Sequence, residues 1–352
     1  MSKFVRQSYR NYGIPLSETV SELPVPAGTD VLLRVRHCGV CHSDVHLHDG
    51  YFDFGGGKKL SLAGGQALPF TPGHEIEGEI EAAGPDAAGA SAGRRVVVYP
   101  WIGCGACALC ASGDEHLCAK PRQIGIQRDG GYASHVLVPH PRYLLDYTPI
   151  PPALAATYMC SGVTAFSAVA KLGAIPKRSP VLIVGLGGVG LMGLAFLLAG
   201  GGKPPIVAEP DDKKRALALE LGAAAAYDPG DLGARKAILA ATGGGVAGAV
   251  DFAGSESSIA FALGALGKGG RLVVAGLIGG ELRLPIPMFA LKGISIVGNY
   301  VGSLAEAKEM LALVREGRVA PIPITTRPLT EAQAALDDLR AGRTVGRTVL
   351  VP

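Results

Sequence analysis

Residues 180–202 constrain this chain more than any other stretch, because they couple a buried strand to a helix through a glycine turn. Pro180-Val-Leu-Ile-Val184 is an apolar run of strand length, and Gly185-Leu-Gly187-Gly-Val-Gly190 follows it without a gap. Residues 191–198 then continue as an apolar helix. In that setting each glycine has a task. Gly185 makes the tight turn, Gly187 lets the backbone approach a pyrophosphate, and Gly190 lets the helix lie close to the strand. The helix start, with Gly188 and Val189, turns free N–H groups toward phosphates. Among 51 glycines in 352 residues the motif alone is weak, so its context decides. A second apolar run, Pro205-Ile-Val-Ala208, ends at Glu209, nineteen residues past Gly190. An acid there accepts hydrogen bonds from ribose hydroxyls.

The same uncharged stretch is long enough to cross a bilayer. Its four closely spaced glycines favour strand–turn–helix instead. Residues 1–12 carry Lys3, Arg6 and Arg10 with no apolar run behind them, unlike a signal peptide. A soluble, cytoplasmic chain without a membrane partner is expected. The net charge of +3 includes no block of like charge, so no nucleic-acid partner is expected either.

Downstream, residues 211–221 form an amphipathic helix with an acidic start and a stop at Gly222. Strand-like runs at 249–253 and 271–275 flank a helical stretch at 257–266. This alternation implies an α/β, doubly wound parallel sheet, a nucleotide domain spanning 151–299. The flanks, 1–150 and 300–352, read as a second domain. Strand-like runs at 30–36, 77–81 and 95–99, broken by Gly and Pro turns, suggest a β-rich, partly barrel-like lobe. Two amphipathic helices (303–315, capped by Ser303, and 330–340) and a strand at 347–351 complete it. The glycine-rich loop 50–66 reads as mobile surface or the rim of a site.

Seven cysteines, an odd number, disfavour a pure disulfide framework. Cys104, Cys107, Cys110 and Cys118 stand close together; four thiolates at that spacing close a tetrahedron and leave no open position, which is a structural zinc site. Disulfides do not suit a reducing compartment, and the spacing matches neither common ferredoxin pattern. Cys41, His74 and Cys160 are scattered. By spacing alone they are either buried core residues or a catalytic zinc set with one open position.

Taken together, Gly39-Val-Cys41-His-Ser-Asp44, Pro72-Gly-His74-Glu75, the four-cysteine run, Cys160-Ser-Gly-Val-Thr164 and the glycine loop resemble the zinc-dependent medium-chain alcohol dehydrogenases, in that family's order. The resemblance implies a GroES-like catalytic domain made of both termini, with a Rossmann domain inserted. It implies two zinc ions per chain and NAD. Cys41, His74 and Cys160 would be catalytic zinc ligands, with Glu75 an acid able to approach that metal. Asp44 would orient His74. Ser43 would take the alcohol proton and His46 would pass it to solvent. His42 and Arg347 would serve the pyrophosphate, Thr164 the nicotinamide face, and Lys214 the ribose beside Glu209. Cys38 has no role beyond core filling. Partners would be a small alcohol with its aldehyde or ketone, and further copies of the chain in a homodimer or homotetramer. Two rivals are a zinc-independent quinone or enone reductase of the same fold and a non-catalytic zinc- or nucleotide-binding protein. Glu209 in place of the commoner aspartate, followed by Pro210, departs from the family pattern.

Overall fold

In the computed structural model, which describes residues 3–352, two separate sheets organise the chain. The first holds six strands in spatial order Ala225–Tyr227, Ile206–Ala208, Val181–Val184, Val246–Asp251, Leu266–Val274 and Ser295–Gly298. Every neighbouring pair is parallel. The order reverses between Val181–Val184 and Val246–Asp251, and that switch point opens a crevice at the carboxyl ends of the strands. Val181–Val184 is buried along its whole length, as a strand covered on both faces must be. The uncharged 180–202 stretch therefore divides into this strand, the glycine turn and the twelve-residue helix Gly188–Ala199.

The second sheet has seven strands and is mostly antiparallel, built on Val31–Gly39 and Glu75–Ala83. The chain's last strand, Arg347–Val351, pairs with Val31–Gly39 and so closes the amino- and carboxy-terminal parts into one body. Capping chemistry sets the helices. Ser303 caps Leu304–Arg315 reciprocally with Glu306, and Asp211 accepts from the Lys214 amide at the start of Asp212–Glu220.

One element was not legible in the sequence. Residues Pro152–Ala170 form a single helical run, long and apolar enough to span a membrane, yet 78% of its window is buried inside the protein. Its first turns pack on Val31–Gly39 and Glu75–Ala83, and its last turns pack on Gly188–Ala199. Between them, Tyr158–Gly162 widens into a π-helical turn. Such turns arise where one extra residue is accommodated in a helix, often at a functional site. Cys160 lies within it.

Candidate metal centres and nucleotide cleft

Cys41 caps the helix His42–Asp49 in an extended conformation. Its amide donates to Asp44 Oδ2 at 2.9 Å, which locks the first turn. The same carboxylate accepts from the Tyr132 hydroxyl at 3.1 Å and the Gly73 amide at 3.3 Å. Its Oδ1 stands 3.2 Å from His74 Nδ1, off the ring's N–H line. Asp44 and His74 are both completely buried. Asp44 thus holds the segment that carries Cys41 and the segment that carries His74.

The remaining groups form a donor set. The Cys41 and Cys160 sulfurs are 3.8 Å apart, and the His74 ring nitrogen completes a cluster whose ligand atoms all lie within 4.8 Å of one another. His74 Nε2 is buried without a protein partner. Thiolates on two corners of a tetrahedral zinc site stand about 3.8 Å apart, given zinc–sulfur bonds of ~2.3 Å, whereas a disulfide would bring them to about 2 Å. The neighbouring Cys41 sulfur and burial push the Cys160 thiol well up. Two ionised sulfurs coexist here only with a cation between them. The donor set fits zinc.

Glu75 lies outside that cluster. One carboxylate oxygen accepts from the Ser161 hydroxyl (2.6 Å) and amide (3.1 Å), and the other pairs with the Arg347 guanidinium. Glu75 engages the residue after Cys160 and the arginine that packs against the glycine loop. Arg347 lies so close to that loop that a Cβ on Gly188 would stand 2.1 Å from Arg347 Cδ. Arg347 Nε is buried and unpartnered.

Cys104, Cys107, Cys110 and Cys118 form the second cluster, with sulfur separations of 3.5 Å (Cys107–Cys110), 3.7 Å (Cys107–Cys118) and 4.0 Å (Cys104–Cys110). The amides of Cys104 and Lys120 donate to the Cys118 sulfur, each at 3.3 Å. Amides of Ala106 and Cys107 bring the Cys104 thiol down to about 6. Desolvation pushes Cys110 up to about 11. The spacing and the amide donors suit a closed tetrathiolate metal site. Cys38 is fully buried and belongs to neither cluster.

A cavity of about 650 Å³ joins these elements. Cys41, Cys160, His42, Ser43, His46 and Thr164 line it, as do Gly185, Gly187, Gly188, Val189, Gly190, Glu209, Lys214 and Arg347. Gly185 has φ +84°, which favours glycine. Nothing stands within 4 Å of a Cβ on Gly187, while one on Gly190 would lie 2.1 Å from the Gly185 carbonyl oxygen. Glu209 is 5% exposed and accepts from the amides of Leu186 (2.6 Å) and Asp211 (3.1 Å). Arg215 donates to the carbonyls of Glu209 and Pro210 at 2.7 and 2.6 Å. Ser43 and His46 share a helix face three residues apart, with no hydrogen bond between them. Burial, then the nearby His42, lower the pKa of His46.

Two features of the cavity escaped sequence reasoning. The rim loop is a short hairpin (Tyr51–Asp53 with Lys59–Ser61), and the ring of its Phe52 lies 4.8 Å from that of His46, tilted by 42°. The four-cysteine lobe, read from sequence as a structural zinc site, contributes His116, Leu117 and Cys118 to the cavity wall. No periodic signal links a metal knuckle to a distant cleft.

Known proteins resemble this chain at every level. Residues 27–150 match the alcohol dehydrogenase GroES-like domain and residues 188–316 match the zinc-binding dehydrogenase domain. An NAD-dependent alcohol dehydrogenase of Sulfurisphaera tokodaii is 36% identical over 97% of both chains, and so is one of Saccharolobus solfataricus. The crystal structure of the alcohol dehydrogenase from Aeropyrum pernix superposes with a TM-score of 0.89, covering 99% of this chain and 100% of that one at 30% identity.

The two clusters should respond differently to alanine. Cys41→Ala, His74→Ala or Cys160→Ala should abolish alcohol oxidation and lower the zinc bound per chain, with NADH binding retained. Cys107→Ala should lower the thermal midpoint and, because its lobe walls the cleft, raise KM for the alcohol. Elemental analysis, NADH titration and melting curves check these outcomes. Full turnover in any of the first three variants would remove that metal site from the reaction.

Proposed function

The chain belongs to the zinc-dependent medium-chain alcohol dehydrogenase family, and we propose that it interconverts a primary or secondary alcohol and its aldehyde or ketone by hydride exchange with NAD. What carries this reading is one cleft that holds both the open Cys41–Cys160 edge of a metal site and the glycine loop with its ribose acid. A zinc ion held by Cys41, His74 and Cys160 supplies Lewis-acid polarisation of the substrate oxygen, and NAD supplies the hydride acceptor. Cys104, Cys107, Cys110 and Cys118 hold a second, structural zinc.

The protein's own groups then have separable tasks. Asp44 faces His74 Nδ1 and leaves Nε2 free for the metal. The Ser43 hydroxyl takes the alcohol proton, and His46, on the same helical face, delivers it to solvent. A bridging hydroxyl or water must span the gap between them. Arg347 Nε and the exposed His42 face the pyrophosphate, while Thr164 borders the nicotinamide. Glu75 positions Arg347 and Ser161. Glu209 keeps lone pairs for the ribose hydroxyls, where a 2′-phosphate would meet like charge. Lys214 borders the same ribose.

We further assign a soluble, cytoplasmic homodimer or homotetramer. Ser295–Gly298 is an unpaired edge of the six-stranded sheet. The helix Ile286–Lys292, which packs on the neighbouring strand Leu266–Val274, leads into it, and its Ile286 and Leu291 are 84% and 76% exposed. A second copy of the chain pairing at that edge would cover this apolar surface. The free thiols suit a reducing compartment.

Initial rates on a panel of alcohols with NAD and NADP test the reaction. NAD should be preferred by ~100-fold in kcat/KM, the effect of a carboxylate facing a phosphate. Glu209→Ala should narrow that ratio; an unchanged ratio would show that another group selects the cofactor. The absence of any alcohol-dependent NADH formation would favour the zinc-independent reductase or the binding protein.

The acid limb of the pH profile is set by His46, which accepts a proton only when neutral. Its lowered pKa places that limb below the ordinary histidine value of about 6.5. Turnover should therefore fall only below that pH. His46→Ala should be slower and more pH-dependent, as buffer replaces the relay. An unaltered profile would make His46 a bystander.

A further inference from the structure

Trp101, the chain's single tryptophan, is buried just before the four-cysteine lobe. Its backbone is pinned on both sides: the Ile124 amide donates to the Pro100 carbonyl at 3.1 Å and the Arg122 amide to the Ile102 carbonyl at 2.8 Å. Two contacts of its indole fall on segments that carry Cys160 and His74. The first is a hydrogen bond into the π-helical turn Tyr158–Gly162. There the Val163 amide donates to the carbonyls of Tyr158 and Cys160. In an α-helix its partner would be the Met159 carbonyl, four residues back. That carbonyl accepts instead from Trp101 Nε1, at 2.8 Å and away from solvent. A buried indole N–H needs an acceptor, and a π-helical turn diverts a regular donor. Each side supplies what the other lacks, and the residue held in this way directly precedes Cys160.

The second contact is with the His74 ring. The two centroids are 5.4 Å apart and the planes 61° apart, an edge-to-face arrangement. Tyr300 packs on the indole in the same manner at 5.9 Å. The Asp44 carboxylate stands off the N–H line of His74, and neither ring nitrogen has a hydrogen-bond partner among the described residues. Packing is therefore left to fix the tilt of that ring, and Trp101 supplies an aromatic surface for it.

We infer that Trp101 is a positioning residue for the metal site: its N–H holds the turn that carries Cys160 while its ring holds His74, so one side chain sets two of the three ligands relative to each other. The inference rests on the reading of Cys41, His74 and Cys160 as a zinc site and adds to it the group that preorganises the set. Trp101 also lines the cleft. A residue that only walled the substrate would alter KM without altering how firmly the metal is held.

Release of zinc from the holoenzyme to a chelator, followed with an indicator dye, separates these roles. The release phase missing from Cys160→Ala belongs to this site. Trp101→Phe keeps an aromatic ring and deletes the N–H. It should speed that phase by about tenfold, the lower end of the effect of removing a group that orients a metal ligand, and leave release from the four-cysteine lobe as it was. No acceleration, or equal acceleration of both phases from a general loosening, would overturn the assignment and leave the dehydrogenase reading intact. The single tryptophan also gives a measurement that needs no substitution. Its emission in the wild type should change in step with the Cys160-dependent phase; emission that stays constant while this zinc leaves would overturn the assignment as well. A wild type with no Cys160-dependent zinc would overturn the zinc reading itself.

Discussion

The ion pair between Glu75 and Arg347 is the joint on which the cleft depends. Both groups are buried, and they lie far apart in sequence, one beside His74 and the other at the start of the last strand. Burial opposes both charges: it raises the pKa of Glu75, and for Arg347 the nearby Glu75 and Cys41 more than offset it. Pairs of this kind add little net stability, but removing one partner leaves an uncompensated buried charge at roughly 3–5 kcal/mol. The geometry is what the pair secures. Glu75 also holds Ser161, next to Cys160, and Arg347 packs on Gly188. One contact therefore ties the His74 and Cys160 segments to the glycine loop.

The helix Pro152–Ala170 does similar work by packing. It leans first on the antiparallel sheet and then on the helix that follows the glycine turn. Its π-helical turn falls where the support changes, and that turn carries Cys160 toward Cys41. A regular helix would rotate Cys160 around the axis relative to one of its two supports. The metal edge thus depends on how two bodies share one helix.

The four-cysteine lobe extends this logic. Without much core of its own, it is closed by its thiolates and by the Glu115, Arg142 and Tyr143 contacts. Closure of that lobe places Leu117 and His116 on the cleft wall. The closure of the lobe and the shape of the cleft are linked through a few residues around Cys118.

Much of this protein was readable from residues alone. The strand–glycine–helix run with Glu209 at its interval specified the parallel sheet, because only glycine tolerates the turn at Gly185 and the close approach at Gly190. The four-cysteine spacing announced a closed metal knuckle, since the chemistry there is local. Cys41, His74 and Cys160 stood undecided between core residues and a metal set until the resemblance was drawn, as their intervals carry no short-range rule. The π-helical turn, the path of Arg215 back to the Glu209 carbonyl, the Glu75–Arg347 joint and the exposure of His116 to the cleft were not legible. Each of these arises from contacts between segments distant in sequence, or from an irregularity that such contacts impose. Periodicity and motif report what a segment prefers by itself; only packing decides which buried groups meet.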